Sequence, residues 1–182
     1  MSPPMTIRDQ ALLGSAQASP CTEVDQQQLL TDDNNSFGHN GGNNSPGIKF
    51  ETSSALGVGA KLASFTQWIK LGAWDAGITA LVSARLYDSS GVLKETSTDT
   101  INPQTELNTS SYTEKTLNFS SSVVIAEDDH LVFYFDSGIG TGGYMHGQFY
   151  NSDVYDGVNT VNYRNSSGFS GEDCTFKLTY CE

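Results

Sequence analysis

From Gly47 onward, apolar residues recur at every second position in short runs. In ITALVSARLYD, Ile78, Ala80, Val82, Ala84 and Leu86 share one face, while Thr79, Ser83, Arg85 and Tyr87 share the other. Successive side chains of an extended chain point to opposite faces, so this alternation predicts a strand with one face in a core and one in water. HLVFYFD repeats the pattern with Leu131, Phe133 and Phe135. CTFKLTY aligns Cys174, Phe176, Leu178 and Tyr180, which turns Cys181 away from the core face. Further strands are predicted at 47–51 (GIKFE), 62–71 (LASFTQWIKL), 92–100 (VLKETSTDT) and 112–120 (YTEKTLNFS), with later ones in GYMHGQFY and VNTVNYR. No window of ordinary helix length carries a helical stripe.

Turn chemistry separates these runs. Asp88-Ser89-Ser90-Gly91 joins two strands with residues that accept turn geometry, as do Asp156-Gly157 and Ser167-Gly168, and Glu127 to Asp129 reads as another turn. In GYMHGQFY, Gly147 permits a bulge or a close backbone approach, and NSDVYDG reads as the loop that follows. About eight or nine short strands with turns every ~8–12 residues predict an all-β fold, an antiparallel two-sheet sandwich.

Residues 1–46 follow no such period. QASPCTEVDQQQLLTDDNNSFGHNGGNNSPG is rich in Gln, Asn, Gly, Ser and Asp, a composition that buries little apolar surface. The chain therefore divides into an extended polar N-terminal arm at 1–46 and a sandwich domain at 47–182. Within the arm, Leu29 and Leu30 offer a small apolar plug for docking on a neighbour, and Cys21 offers a tether.

The order GIKF, then IKLGA, then ITALVSARLYDSSG, then YTEKTLNFSSSVVIAEDDHLVFYF, then YDGVNTVNYRNSSGFSGEDCTFKLTY resembles the jelly-roll modules of carbohydrate-binding domains and of surface and virion proteins of phages and archaeal viruses. The likeness covers residues 47–181 and lies in strand order and turn phrasing. It implies a jelly-roll sandwich displayed outward as a decoration, fibre or adhesion module, in some cases with a sugar-binding face or loop rim.

Charge narrows the partners. Of 182 residues, 21 are carboxylates and 9 are basic, a formal charge of −12 that repels phosphate backbones and anionic lipid. Nucleic acid is excluded as a partner on this ground. No run approaches the ~20 apolar residues of a membrane helix, so no membrane insertion is expected. Residues 1–20 hold only a three-residue apolar step, Ala11 to Leu13, far short of a signal-peptide core, so export is expected by another route or the chain is already processed. A virion component, released by lysis or assembly, fits both features.

The cysteines, Cys21, Cys174 and Cys181, are odd in number, so at most one internal bridge forms. Cys174 and Cys181 on one extended strand lie roughly 23 Å apart at ~3.3 Å per residue, too far to bridge. Cys21 could reach either, and three free thiols are the alternative.

No nucleophilic machinery is legible: His39, His130 and His146 are isolated and there is no G-x-S-x-G elbow. The chain is read as a non-enzyme that needs no cofactor; of the oxygen-rich clusters at 32–35, 127–129, 151–156 and 172–173, Asn151, Asp153 and Asp156 are the candidate structural calcium site. Stacking on sugar rings requires flat aromatic faces beside polar groups, which selects Trp74 with Asp75, Tyr144, Tyr150, Tyr155 and Tyr163 as glycan or partner contacts. Trp68 and Phe149, within strands, read as core or sheet surface. The expected function is a virion surface structural protein, a capsid decoration or fibre-like module anchored by its arm. Its partners would be copies of itself, a major capsid protein or another virion protein, and a cell-surface glycan. The alternatives are a secreted or cell-surface carbohydrate-binding module, or a filament subunit assembled by strand addition.

Overall fold

The computed structural model describes residues 20–26, 33–37, 46–51, 57–75, 77–120, 122–136, 142–150, 158–162 and 173–182. Among these, the strands in chain order are β1 (Cys21–Gln26), β2 (Asp33–Phe37), β3 (Pro46–Phe50), β4 (Lys61–Trp74), β5 (Val82–Tyr87), β6 (Leu93–Thr96), β7 (Thr113–Asn118), β8 (His130–Phe135), β9 (Gly143–Tyr150), β10 (Val158–Asn162), β11 (Asp173–Cys174) and β12 (Phe176–Cys181). A single helical turn, α1 (Pro103–Glu106), begins at Asn102, whose side chain accepts from the Gln104 N–H. The fold is all-β, in two antiparallel sheets.

The larger sheet runs β1-β12-β4-β9-β11, with β2 added on β9 and β7 on β4. The smaller runs β10-β3-β8-β5-β6. β4 is the axis of the larger sheet. Phe65 pairs with both Leu117 of β7 and Leu178 of β12, and Ile69 pairs with both Thr113 of β7 and Gly147 of β9. Hence β7 occupies one edge of β4, while β12 and β9 share the other end to end.

The alternation anticipated from the sequence fills the space between the sheets. Ala80, Val82, Ala84, Leu86, Leu131, Phe133, Phe135, Cys174, Phe176 and Leu178 are all buried. The Phe65 and Phe133 rings meet edge to face at 5.6 Å across the two layers. Each such ring removed from water contributes about 1.5–3 kcal/mol. Closeness is also set by Gly47: a Cβ there would stand 2.0 Å from the Leu131 carbonyl oxygen and 2.6 Å from the Val132 Cα. Only glycine lets β3 lie this tightly on β8.

The turn at 88–91 forms as expected. The Asp88 carboxylate accepts from the N–H groups of Ser90 and Val92, each at 2.8 Å, and Gly91 takes a φ of 80°. The Glu127–Asp129 turn also forms, with Asp128 at a φ of 65°.

Three features depart from the sequence reading. First, the segment expected as an arm supplies two strands of the larger sheet: Cys21–Gln26 pairs with β12 and Asp33–Phe37 with β9. Polar side chains do not prevent a strand from being held through its backbone at a sheet margin, so composition alone missed both. Second, the strand expected to begin at Ile78 begins at Val82, because Gly77, at a φ of 97°, and the Ile78 N–H to Asp75 carbonyl bond shape a turn before it. Third, Ser83, Tyr87 and Val132 point to the outer face of the smaller sheet yet are buried, with exposures of 0%, 6% and 0%. Arg85, the register partner of Val132, lays its guanidinium 4.0 Å from the Tyr134 ring centroid and bonds Asp136 at 2.9 Å. A long stem lying across an outer face shields apolar neighbours in this way.

Replacing Gly47 with Ala is expected to lower the unfolding free energy by roughly 2–3 kcal/mol, the cost of overpacking against fixed backbone. Urea denaturation of the two proteins measures it, and an unchanged midpoint would contradict the assigned β3–β8 contact.

Candidate functional site

The outward face of β4 and its neighbours carries a row of aromatic rings and cations. Trp68 points outward from β4 opposite Glu114 of β7, yet is only 8% exposed. Lys177 of β12 sits 5.3 Å from its ring centroid and bonds Glu114 at 2.8 Å. Since β12 and β7 flank β4 on opposite edges, this ion pair passes over the Trp68 ring and roofs it. Trp68 is thus a covered sheet-surface residue.

Further along β4 the face opens. Lys70 and His146 are register partners, and Lys70 Nζ lies 4.6 Å from the centroid of Tyr112. Tyr144 meets the His146 ring edge to face at 5.2 Å. The Tyr144 ring lies directly over Gly72, where a Cβ would come within 2.1 Å of it. The bare backbone at Gly72 therefore lets the tyrosine lie down on the sheet. Lys70, Tyr112, Tyr144 and His146 are all half-buried, and Lys70 forms no ion pair among the described residues. A flat ring beside a cation and an imidazole suits an apolar sugar face with its polar substituents.

The predicted contact residues separate on the structure. Tyr144 belongs to this patch. Trp74 packs inward against the core, its ring 6.0 Å from that of Phe135 and its Nε1 donating to the Ile78 carbonyl at 3.2 Å. Asp75 is exposed beside it, its backbone N–H bonded to the Gly142 carbonyl. Tyr150 ends β9 opposite Asp173, while Tyr155 and Tyr163 lie outside the described residues. So do Asn151, Asp153 and Asp156, the calcium candidates, and Leu29 and Leu30. Among the described residues no group of three or more His, Cys, Asp or Glu is placed to hold a metal, and no helix is long and apolar enough to cross a membrane. Lys70, Tyr112 and His146 were not selected from sequence. The signal lay in strand alternation, which places Tyr144 and His146 on one face, but β4 and β9 had first to be known as neighbours.

The second notable site is the sheet edge. Cys21 and Cys181 face each other in the β1–β12 register and form a disulfide, while Cys174 is a buried thiol outside that bond. Cys174 Sγ lies 3.7 Å from the Gln67 amide nitrogen, which donates to it, and 3.6 Å from the Gly47 carbonyl of the other sheet. On β1, Cys21, Thr22 and Glu23 are exposed and Val24 is half-buried opposite Leu178. Half-burying one valine is worth on the order of 1 kcal/mol, whereas a native disulfide is worth about 2–5 kcal/mol. The covalent bond therefore outweighs side-chain burial in fixing β1, and it acts beside the backbone pairing along β12.

No protein-family model matches the chain, and no curated protein matches it in sequence.

Two histidines give the molecule a pH signature. His146 is held below its usual 6.5 by burial and then by Lys70. His130 is lowered by burial first and Lys49 second, against the opposing pull of Asp128 and Asp129. Both favour the neutral ring in the fold, so as pH falls through 6.5 the unfolded chain binds protons the folded one refuses, and stability declines. Two carboxylates act lower. Glu106 is lowered by the Asn102 N–H and then by Lys115, and Asp128 by Lys49. Their stabilising effect is full above 4.5 and is lost as pH falls through their depressed folded values. The double variant His130→Gln/His146→Gln should flatten the decline below pH 6.5 and leave the acid limb intact. Urea unfolding across the pH range reads both limbs, and an unchanged slope in the upper window would refute the histidine assignment.

Proposed function

We propose that the chain is a non-enzymatic structural module displayed on a virion surface, a capsid decoration or fibre-like unit of jelly-roll type, anchored through its N-terminal segment. With Cys21–Gln26 and Asp33–Phe37 in the sheet, the anchoring part narrows to the residues before Cys21. The Cys21–Cys181 disulfide carries this reading. It clamps the point where the N-terminal segment joins the body, so a pull on that segment passes into β12 and the core instead of peeling β1 away. Disulfides also persist in oxidising, exposed settings. The charge of −12 supports dense display without clumping, through mutual repulsion. Its partners are then copies of itself or a capsid protein.

Deleting residues 1–19 should leave a folded sandwich, by circular dichroism, that is lost from particles purified from the native source. Incorporation of the truncated chain at the normal level sinks the anchoring role.

A second reading, a secreted or cell-surface carbohydrate-binding module, is favoured by the Tyr144, His146 and Lys70 patch. It predicts a glycan-array signal that falls at least about fivefold in Tyr144→Ala, since stacking on one ring contributes about 1 kcal/mol or more. Array silence of the native protein removes this reading and leaves the structural one. Trp74→Ala is a poor probe, because the Trp74 ring packs on the core and its removal alters stability as well as any contact.

A further inference from the structure

We propose that β1 is an exchangeable edge strand, and that the edge of β12 is an interaction surface for a second copy of this chain. The second copy docks by laying its own β1 there, and a disulfide between Cys21 of one copy and Cys181 of the other locks the pair. The inference stands independently of where the module is displayed.

Three observations carry it. Among the described residues β1 is terminal in its sheet, exposed over Cys21 to Glu23, with Val24 half-buried as its contact toward the interior. β12 does not depend on β1 for its place: it pairs along Phe176–Cys181 with β4, and Phe176 and Leu178 are fully buried. Removing β1 thus opens a row of backbone donors and acceptors on a strand that stays fixed, which is the template that strand addition uses. Finally, Cys21 stands directly opposite Cys181. A slip of one residue would turn one thiol to the other face, so the bond forms only on a β1 in the correct register, whichever copy supplies it. The occupant best matched to this edge is therefore β1 itself.

Geometry limits how the copies meet. β1 ends at Gln26 and β2 starts at Asp33, and the six residues between span at most about 20 Å. Donor and acceptor must lie edge to edge along β12, and exchange is reciprocal about a two-fold axis. Two effects oppose it. A copy's own β1 is present at an effective concentration in the millimolar range. Each copy also carries a charge of −12, whose repulsion is screened beyond about 8 Å at physiological ionic strength. Exchange therefore belongs to crowded copies.

The chemistry balances with oxidised glutathione as oxidant. The Cys21 thiol loses its proton and attacks one glutathione sulfur, releasing one glutathione thiol. The Cys181 thiol of the other copy, likewise deprotonated, attacks the mixed disulfide and releases the second. Two protein thiols are oxidised and one glutathione disulfide is reduced.

The test uses the full native chain in unlabelled and ¹⁵N-labelled forms. Equal amounts are reduced without denaturant, mixed, reoxidised with glutathione disulfide, alkylated and digested, and the Cys21–Cys181 peptides are weighed. At about 1 mM protein, close to the effective concentration of a tethered strand, about a quarter of linked peptides should carry one labelled and one unlabelled half. Near 1 µM the mixed fraction should fall below a few per cent, and raising salt from about 20 mM to 0.5 M should increase the 1 mM yield. Far-UV circular dichroism of the reduced protein should stay that of a folded β protein. Linked peptides that are never mixed at 1 mM overturn the proposal. So does loss of the folded signal on reduction, or cross-links through buried Cys174, because either means that more than β1 has opened.

Discussion

The larger sheet depends on backbone pairing along both edges of β4. One strand of 14 residues carries β7 on one side and, on the other, β12 followed by β9. Two strands sharing one edge must part where they meet, and they do so around Gln67 and Trp68, between the pairings Gln67 with Phe176 and Ile69 with Gly147. At that parting the chain before β12 turns away as β11, pairs with the end of β9, and brings Cys174 within 3.6 Å of the Gly47 carbonyl in the second sheet. The two layers meet here through the Cys174 Sγ contact with the Gly47 carbonyl, and Gln67 places an amide inside the core that donates to the same sulfur.

This arrangement concentrates rigidity in the middle and leaves the margins to be held by other means. Phe65 meets Phe176 on the neighbouring strand of the larger sheet and Phe133 from the facing sheet, so the interior forms by ordinary apolar burial. β1 shares little of that burial and is held by hydrogen bonds and a covalent bond. The contrast is between a body set by apolar burial and an edge strand set by backbone pairing and the Cys21–Cys181 bond. That contrast underlies both the proposed anchoring role and the proposed exchange of strands between copies, although neither requires the other.

The outer faces show how few cations an acidic chain needs to manage its surface. Arg85 on Tyr134 and Lys177 on Trp68 each stack on a ring while pairing with a carboxylate, Asp136 and Glu114 respectively. Such a group does two jobs: it shields apolar surface with its stem and neutralises a neighbour with its head. Lys70 stacks on Tyr112 beside His146 without a carboxylate among the described residues, which gives the Tyr144 patch a different character from the two roofed positions.

The sequence by itself determined the all-β class, the inward faces of β5, β8 and β12, and the turn at 88–91, because period-two alternation and turn chemistry are local properties of the chain. It left β1 and β2 unseen, since CTEVDQ and DNNSF have little apolar alternation and owe their strand form to β12 and β9 lying alongside. Only the tertiary structure decided that Cys21 bonds Cys181 across a separation of 160 residues, that Val132 and Tyr87 are buried on an outward face, and that Lys70 and His146 stand together. The physical reason is the same in each case: these properties belong to pairs of residues on different strands, and no local pattern records which strand will be the neighbour.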